Sequence, residues 1–553
     1  MADQTLAKKG HPRGLYVLFA TEMWERFNYY GMRAILIYFM TDALVYSKPF
    51  ASNLYGGYTG LIYLSPLIGG FIADRFWGNR KSIILGGLVM AAAELVLFWC
   101  SSIYKSDPGT SSILFYTGLG MMIVGNGFFK PNISSMVGQL YPSRDKRLDA
   151  AYTIFYMGIN VGGMLGPFVC GLVGNTKNPD DFKYAFLAGS IGMIISVITF
   201  HFLKDKYVIS HEGLPVGEVP ASMEKSKHFM KNVLSIKVLL SMSLLVAAAM
   251  GLLYLHGRQL FDISYLMLVA LAAILYLIFS DKSLTKIETQ RIIVIFIVSF
   301  FVIFFWSAFE QAGASLSFFA NEQTKLEIDV LNFSVPPSWF QSLNSAFVVI
   351  FAPVFAWIWI RLGKKNLEPS SPTKMAIGLI FLSIGYLWIA FGVQGITPGV
   401  KVSMIWLVGM YVLHTFGELC LSPIGLALVN KLAPLRFASL MMAVWFMANA
   451  AASVIAGKLS ALYPPGIAEI RKAAEAGIDL PAILLHKVSP SPDQIASLKK
   501  MEIPFEFSSV LGYRINNLYD FFMLFVVTAG VAAIILLMLS KWLQKRMYNE
   551  EAH

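Results

Sequence analysis

The chain has 553 residues, of which 56% are hydrophobic and only 14% are charged, and its mean hydropathy is +0.61. That balance excludes a soluble enzyme and defines an integral membrane protein. The 44 Lys and Arg against 33 Asp and Glu give a net charge of +11, which would suggest a nucleic-acid partner in a soluble protein. Here it fits basic loops on one side of a membrane, and no nucleic-acid module is visible in the sequence.

In chain order, the basic segment MADQTLAKKGHPRG is expected to remain as a cytoplasmic tail. The apolar run behind it is too long and too charged for a signal peptide and lacks a small-residue cleavage site. Segments apolar and long enough to span fall near 15–45, 51–74, 81–101, 111–139, 148–174, 184–203, 235–256 and 262–280. A later set falls near 291–320, 338–360, 374–393, 402–430, 437–462 and 518–540, so about fourteen helices are expected. Bases cluster in alternate loops: Arg75, Arg80 and Lys81; Arg144, Lys146 and Arg147; Lys282, Lys286 and Arg291; Arg361, Lys364 and Lys365; Lys541, Lys545 and Arg546. Both termini share that side, which the positive-inside rule makes cytoplasmic.

The expected division is a tail over 1–14, a six-helix bundle over 15–205, a linker with an inserted helical hairpin over 206–290, and a second six-helix bundle over 291–548. A short tail over 549–553 follows. Within the second bundle, 463–516 is a polar excursion with YPPG and the amphipathic IAEIRKAAEAG, read as a solvated decoration of the outer face. The hairpin has no acid before Asp262 and no polar stripe, and is read as peripheral.

The first span carries the densest chemistry. Glu22, Glu25, Arg26, Tyr29, Tyr30 and Arg33 are offset by 3, 4, 7, 8 and 11 positions, which places all six on one helix face. A charge at the bilayer centre costs roughly 2.5–3.5 kcal/mol, so four charges cannot face lipid. Two acids and two bases sum to zero, and Glu22 precedes Arg26 by one turn, the favourable order for a pair. A structural ion-pair network is the plain alternative to a functional one, but the two tyrosines point to the wall of a wet cavity.

Further intramembrane charges follow. Lys130 stands before Pro131 in NGFFKPNISS; Glu310 follows Trp306 in FFWSAFEQAG; Glu418 lies between His414 and Ser422 in HTFGELCLSPIG, with Pro423 next. Each proline removes a backbone donor and is expected to bend or open its helix. Intramembrane ionisable residues are functional candidates by default, whereas Glu94 and His414 are read equally well as satisfied packing residues. Cys100, Cys170 and Cys420 are expected to be buried thiols, and no metal motif, phosphate-cradling loop, HExxH or nucleophile elbow occurs.

EMWERFNYYG (22–31) resembles the ExxERFxYYG signature of the proton-dependent oligopeptide transporters, a peptide-carrying branch of the major facilitator superfamily. GGFIADRFWGNRK (69–81), FKPNISSMVG (129–138), FYMGINVGG (155–163) and GELCLSPIGLALVNKLAP (417–434) are similar to its other signatures. Gly163 and Met164 stand where Ser-Leu is usual, Ala427 and Asn430 replace a usual Ser and Thr, and the second-helix histidine of some members is missing.

The resemblance implies an all-α major facilitator fold of two six-helix bundles plus an inserted two-helix hairpin. It implies a peptide site lined by Arg26, Tyr29, Tyr30, Arg33, Tyr63, Lys130 and Asn160 from the first half and by Trp306, Glu310, Asn344, Glu418, Ser422 and Trp445 from the second. Proton coupling would rest on Glu22, Glu25, Arg26, Lys130 and Glu310, and gating on the loop with Asp74, Arg75, Arg80 and Lys81. The implied activity is proton-driven symport of di- and tripeptides across the plasma or inner membrane by alternating access, with protons, peptides and lipid as partners. No cofactor, metal, nucleic acid or obligate protein partner is expected. The rival readings are a nitrate or small-anion carrier of the same family, against which Glu418 argues, and a receptor that senses peptide without moving it.

Overall fold

The structure, a computed structural model, describes residues 10–142, 145, 147–218 and 235–547. Residues 1–9 and 549–553 of the expected tails, the loop bases Arg144 and Lys146, and 219–234 of the linker lie outside the described residues. The described residues of Met1–Ile35 and Leu61–Tyr254 form one compact unit, and Leu36–Gly60 with Leu255–His553 form a second.

The helices in order are α1 (Arg13–Tyr38), α2 (Lys48–Ile72), α3 (Asn79–Ile103), α4 (Pro108–Gln139), α5 (Leu148–Gly174), α6 (Phe182–Tyr207), α7 (Ile236–Gly257) and α8 (Ser264–Phe279). Next come α9 (Lys286–Phe309), α10 (Ser315–Glu322), α11 (Phe340–Lys364), α12 (Ser371–Gly392), α13 (Met404–Leu432) and α14 (Ala438–Ser460). The short helices α15 (Ile467–Glu475), α16 (Leu480–Leu484) and α17 (Pro492–Lys500) precede the long α18 (Leu518–Met547). The strands described are three pairs of two residues, among them Thr324–Lys325 running parallel to Val402–Ser403.

Twelve helical segments among the described residues are long and apolar enough to cross a membrane. Two of the fourteen expected spans are not among them. α1 is 26 residues long but carries the charged stripe; α8 has 16 residues, about 24 Å at 1.5 Å per residue, short of a hydrocarbon core of ~30 Å. Leu240 and Leu244 of α7 and Tyr276 of α8 are exposed, as lipid-facing residues must be.

Within the first unit, α1 meets α5 along Gly158, Gly162 and Gly166, one turn apart. A methyl group on Gly162 would sit 2.2 Å from the Met23 carbonyl, and on Gly166 2.4 Å from the Phe27 carbonyl. Only glycine lets the two backbones come this close, the small-residue packing typical of membrane helices. A one-turn π-helical extension of α2, Ala73–Trp77, ends at Gly78, whose φ of 72° favours glycine.

The prolines do not end their helices, since α4 runs on through Pro131 and α13 through Pro423. The break comes instead at Glu310, where α9 passes into a 3-10 turn, Glu310–Gly313, before α10. Gln311 ties the break together: its Nε2 donates to the carbonyls of Ser307 and Ala456, each at 3.0 Å, and its Oε1 accepts from Ser315 Oγ at 2.5 Å.

The 463–516 segment is more than a decoration. Ala473, Leu480, Ile483, Leu484, Leu498 and Ile503 form an apolar core of its own, with Phe505 and Phe507 packed against it. Lys48 at the start of α2 reaches Glu322 at 2.6 Å and Glu469 of α15 at 3.1 Å.

The turn between α7 and α8 is held by Asp262, which pairs with Lys458 of α14 and accepts from the Ser264 amide at 2.9 Å. Burial alone would raise its carboxyl, but those hydrogen bonds outweigh it and hold the group at about 2, below its ordinary 3.8. A depressed carboxyl contributes stability above its unfolded pKa and loses it as pH falls toward the folded value. Asp262→Asn is therefore expected to lower the thermal midpoint at pH 7, by less than about 1 kcal/mol for so exposed a pair. The gap to the native protein should narrow between pH 4 and pH 2; a gap that stays constant would contradict the pairing.

Candidate functional site

In the first unit, the α1 stripe is folded inward: Glu22 and Glu25 are fully buried and Arg26 is 1% exposed. Arg26 Nε lies 3.1 Å from Glu22 Oε1 and 2.6 Å from Glu25 Oε2. One cation thus serves two carboxylates, and its Nη2 is buried with no hydrogen-bond partner. The same guanidinium lies over the rings of Tyr29, at 5.3 Å, and Tyr30, at 5.8 Å, and Arg33 approaches Tyr30 at 5.9 Å. Cation–π contact offers a positive charge some compensation without neutralising it.

Lys130 of α4 points its ammonium toward the Tyr63 ring, 6.0 Å from the centroid, and lies within electrostatic reach of Glu25. Asn160 is buried, but its Nδ2 donates to the Tyr156 carbonyl on its own helix at 3.0 Å. Of the loop residues, Asp74 and Arg75 are exposed. Arg80 is buried and engaged by the end of α6 and the segment after it, donating to Asp205 Oδ1 and the Val216 carbonyl at 2.6 Å and the Val208 carbonyl at 2.8 Å. Lys81 lies 5.3 Å from the Trp77 ring.

The second unit carries the opposite chemistry. Glu418 on α13 is half-buried and accepts from Asn344 Nδ2 of α11 at 2.8 Å. The same Asn344 amide reaches Thr415 at 3.2 Å. Among the described residues Glu418 forms no ion pair. Glu310 is 2% exposed at the helix break and lies within electrostatic reach of Glu418. Ser422 is half-buried one turn after Glu418, and Trp445 packs its ring on Gly425, where a methyl group would meet it at 2.2 Å. The Trp306 indole N–H is buried with no hydrogen-bond partner.

The structure adds residues that the sequence reading did not single out. Asn126 Nδ2 donates to Glu25 Oε1 at 3.1 Å, and its signal was present: it stands one turn before Lys130 on α4. Asn28 donates to Glu94 at 3.0 Å and to the Gly189 carbonyl at 3.0 Å, which gives Glu94 a neutral partner at the junction of α1, α3 and α6. His414 is buried against the Tyr386 ring, 4.8 Å between centroids. The three cysteines are buried and free.

Long apolar helices in two units, each holding buried ionisable side chains, are the marks of a membrane protein that moves polar solutes. The sequence model of the POT family matches residues 80–469. The chain is 37% identical over 461 residues to the uncharacterized transporter YclF of Bacillus subtilis (strain 168), covering 82% of this chain and 88% of that protein. It is 35% identical over 460 residues to the peptide transporter YePEPT of Yersinia enterocolitica subsp. palearctica serotype O:3 (strain YE-P4), covering 81% and 87%. A crystal structure of the peptide transporter POT in complex with sulfate superposes with a TM-score of 0.73 at 30% identity, covering 98% of this chain and 97% of that one. The chain belongs to the POT family; it has the major facilitator fold of that family and is a transporter, not an enzyme.

The Arg26 cluster makes a sharp expectation. Removing one partner of a buried ion pair costs about 3–5 kcal/mol because it leaves uncompensated charge, whereas removing every charge can be nearly neutral. Arg26→Met should therefore lower the thermal midpoint strongly, and adding Glu22→Gln and Glu25→Gln to it should restore much of the loss. A triple variant no more stable than Arg26→Met would mean that pairing does not hold the cluster.

Proposed function

We propose that the chain imports di- and tripeptides by alternating access, driven by the proton gradient and without a cofactor, in the plasma or inner membrane with both termini cytoplasmic. The observation that carries the reading is Glu418, a half-buried carboxylate in a membrane helix held only by neutral donors. Such a charge is costly unless a cation joins it, and the ammonium of a peptide is the cation a transport cycle delivers. The cationic surface of the first unit, Arg26, Arg33 and Lys130 among Tyr29, Tyr30 and Tyr63, suits a carboxylate, and Arg26 Nη2 is a donor that lacks an acceptor. YePEPT is named a peptide transporter, which agrees. A carrier of simple anions has no use for Glu418.

Proton coupling is assigned to Glu310 as the carrier, with Glu22, Glu25, Arg26 and Lys130 linking protonation to gating. A carboxyl that exchanges a buried for a solvated setting changes its proton affinity, so conformational change and proton uptake are linked. One charge crossing 100 mV supplies about 2.3 kcal/mol, enough for roughly a fiftyfold peptide gradient.

The test is uptake of labelled dialanine into liposomes holding the purified protein, with and without an inward proton gradient. Gradient-dependent accumulation is expected, blocked by free dipeptides but poorly by amino-acetylated or carboxy-amidated dialanine. A charge-assisted hydrogen bond is worth about 1.5–3 kcal/mol, so Glu418→Gln should weaken dipeptide competition roughly tenfold or more. Glu310→Gln should abolish accumulation while counterflow exchange survives. Binding without uptake would indicate a receptor, competition by nitrate but not dipeptide an anion carrier, and accumulation by Glu310→Gln would move proton carriage to the Glu22, Glu25 and Arg26 cluster.

A further inference from the structure

A cavity lies in the second unit, away from Glu418, where the 463–516 segment meets the end of α10 and the start of α18. Its volume is about 200 Å³, smaller than the roughly 300–1,000 Å³ of drug-sized pockets. Pro398, Pro465, Leu484 and Phe507 give it apolar walls, and no charged residue lines it. Among the described residues, Gln323, Thr397, Tyr463, Asn516 and Asn517 bring polar side chains to it, and of these Gln323 and Tyr463 are at least nine-tenths buried, 3% and 5% exposed. The Gln323 amide oxygen and the Tyr463 hydroxyl each lack a hydrogen-bond partner. Buried polar atoms are rarely left so, and these two, an acceptor and a donor, belong to residues that line one cavity.

Both groups are held in place. The Gln323 carbonyl accepts from the Val402 amide at 2.7 Å, beside the parallel pair Thr324–Lys325 and Val402–Ser403. The Tyr463 ring is clasped by Phe318 and Phe521, 5.6 and 5.3 Å between centroids, with the Lys48 ammonium 5.4 Å away. Lys48 is itself engaged by Glu322 and Glu469, so it is not the missing partner. Burial and the neighbouring carboxylates Glu322 and Glu469 hold the Tyr463 hydroxyl well above its ordinary value, hence protonated and able to donate. On the far wall, the apolar core of α15, α16 and α17 fixes Leu484 and Phe507.

We propose that this cavity is a binding site for a small neutral molecule with an apolar body and an amide-type group, whose carbonyl accepts from Tyr463 and whose N–H donates to Gln323. The charge-free wall separates it from any zwitterionic cargo, since a free ammonium or carboxylate would be desolvated there without a counter-ion. An occupant would join the ends of α10, α14 and α18, so binding also stabilises the fold.

The experiment is isothermal titration of the full-length protein in detergent with N-acetyl-leucinamide as the probe and free leucine as the charged control. Saturable binding of the amide and none of leucine is expected, with a raised thermal midpoint. Tyr463→Phe keeps the ring and its contacts with Lys48, and it and Gln323→Leu should each weaken binding about threefold to tenfold. Leu484→Trp, which fills the cavity, should abolish it, and Glu418→Gln should leave it unchanged. Size-exclusion profiles confirm that each variant is folded. No saturable binding to the native protein, which would mean that water alone fills the cavity, overturns the proposal. So does equal affinity in Tyr463→Phe and Leu484→Trp, or loss of binding in Glu418→Gln, which would place the probe elsewhere.

Discussion

The Glu22, Glu25 and Arg26 cluster is the constraint on which the first unit depends. A helix with four charges in its middle is a poor membrane span, and α1 fails on composition where twelve other segments succeed. Its place in the fold is possible only because its charges meet each other and neutral donors away from lipid. That requires close neighbours. Glycines at 158, 162 and 166 bring the α5 backbone against Met23 and Phe27, while Asn126 on α4 reaches Glu25. Small residues on one helix and charges on another are therefore two sides of one packing solution.

The two units solve the problem of buried charge differently. In the first, cations and anions are close together and one guanidinium pairs with two carboxylates. In the second, Glu418 has among the described residues Asn344 and, beyond it, Thr415, groups that orient a carboxylate without neutralising it. A paired cluster is stable in the absence of ligand, whereas an anion held by neutral donors is stabilised when a cation arrives.

Much of this was legible in the sequence, because membrane spans and intramembrane charges are strong local signals. The stripe from Glu22 to Arg33 could be placed on one face from its spacing alone, and its first pairing, Glu22 with Arg26, follows from one helical turn. What sequence did not disclose were the partners contributed by other helices. Asn126 and Asn28 are neutral and unremarkable in hydropathy, yet they bond Glu25 and Glu94. The prolines were expected to bend or open their helices at 131 and 423, and both helices run on through them, while the break at Glu310 has no proline. It is set by tertiary packing: Gly313 lies so close to Tyr55 that a methyl group would come within 1.8 Å of the phenol oxygen.

The 463–516 segment shows the same limit most clearly. Its polar composition reads as a solvated decoration, because the apolar residues of its core are scattered over three short helices rather than repeated along one. Its attachment was equally hidden, since Lys48 lies 274 positions from Glu322 and 421 from Glu469, and nothing local marks them as a triad. Gly466 completes that attachment: a methyl group there would stand 2.5 Å from a Glu322 carboxylate oxygen and push the triad, and its amide donates to Glu469 at 2.9 Å. A buried lysine shared by two carboxylates is weak support for stability but strong support for register, because few other arrangements satisfy all three groups. The triad thereby fixes the first turn of α15 against α2 and α10. With α15 fixed, the core behind it is fixed, and the wall that carries Leu484 and Phe507 stands at a set distance from Gln323 and Tyr463. The segment is thus a built part of the second unit, held by charge at one end and by apolar packing at the other, and the cavity is what remains between them.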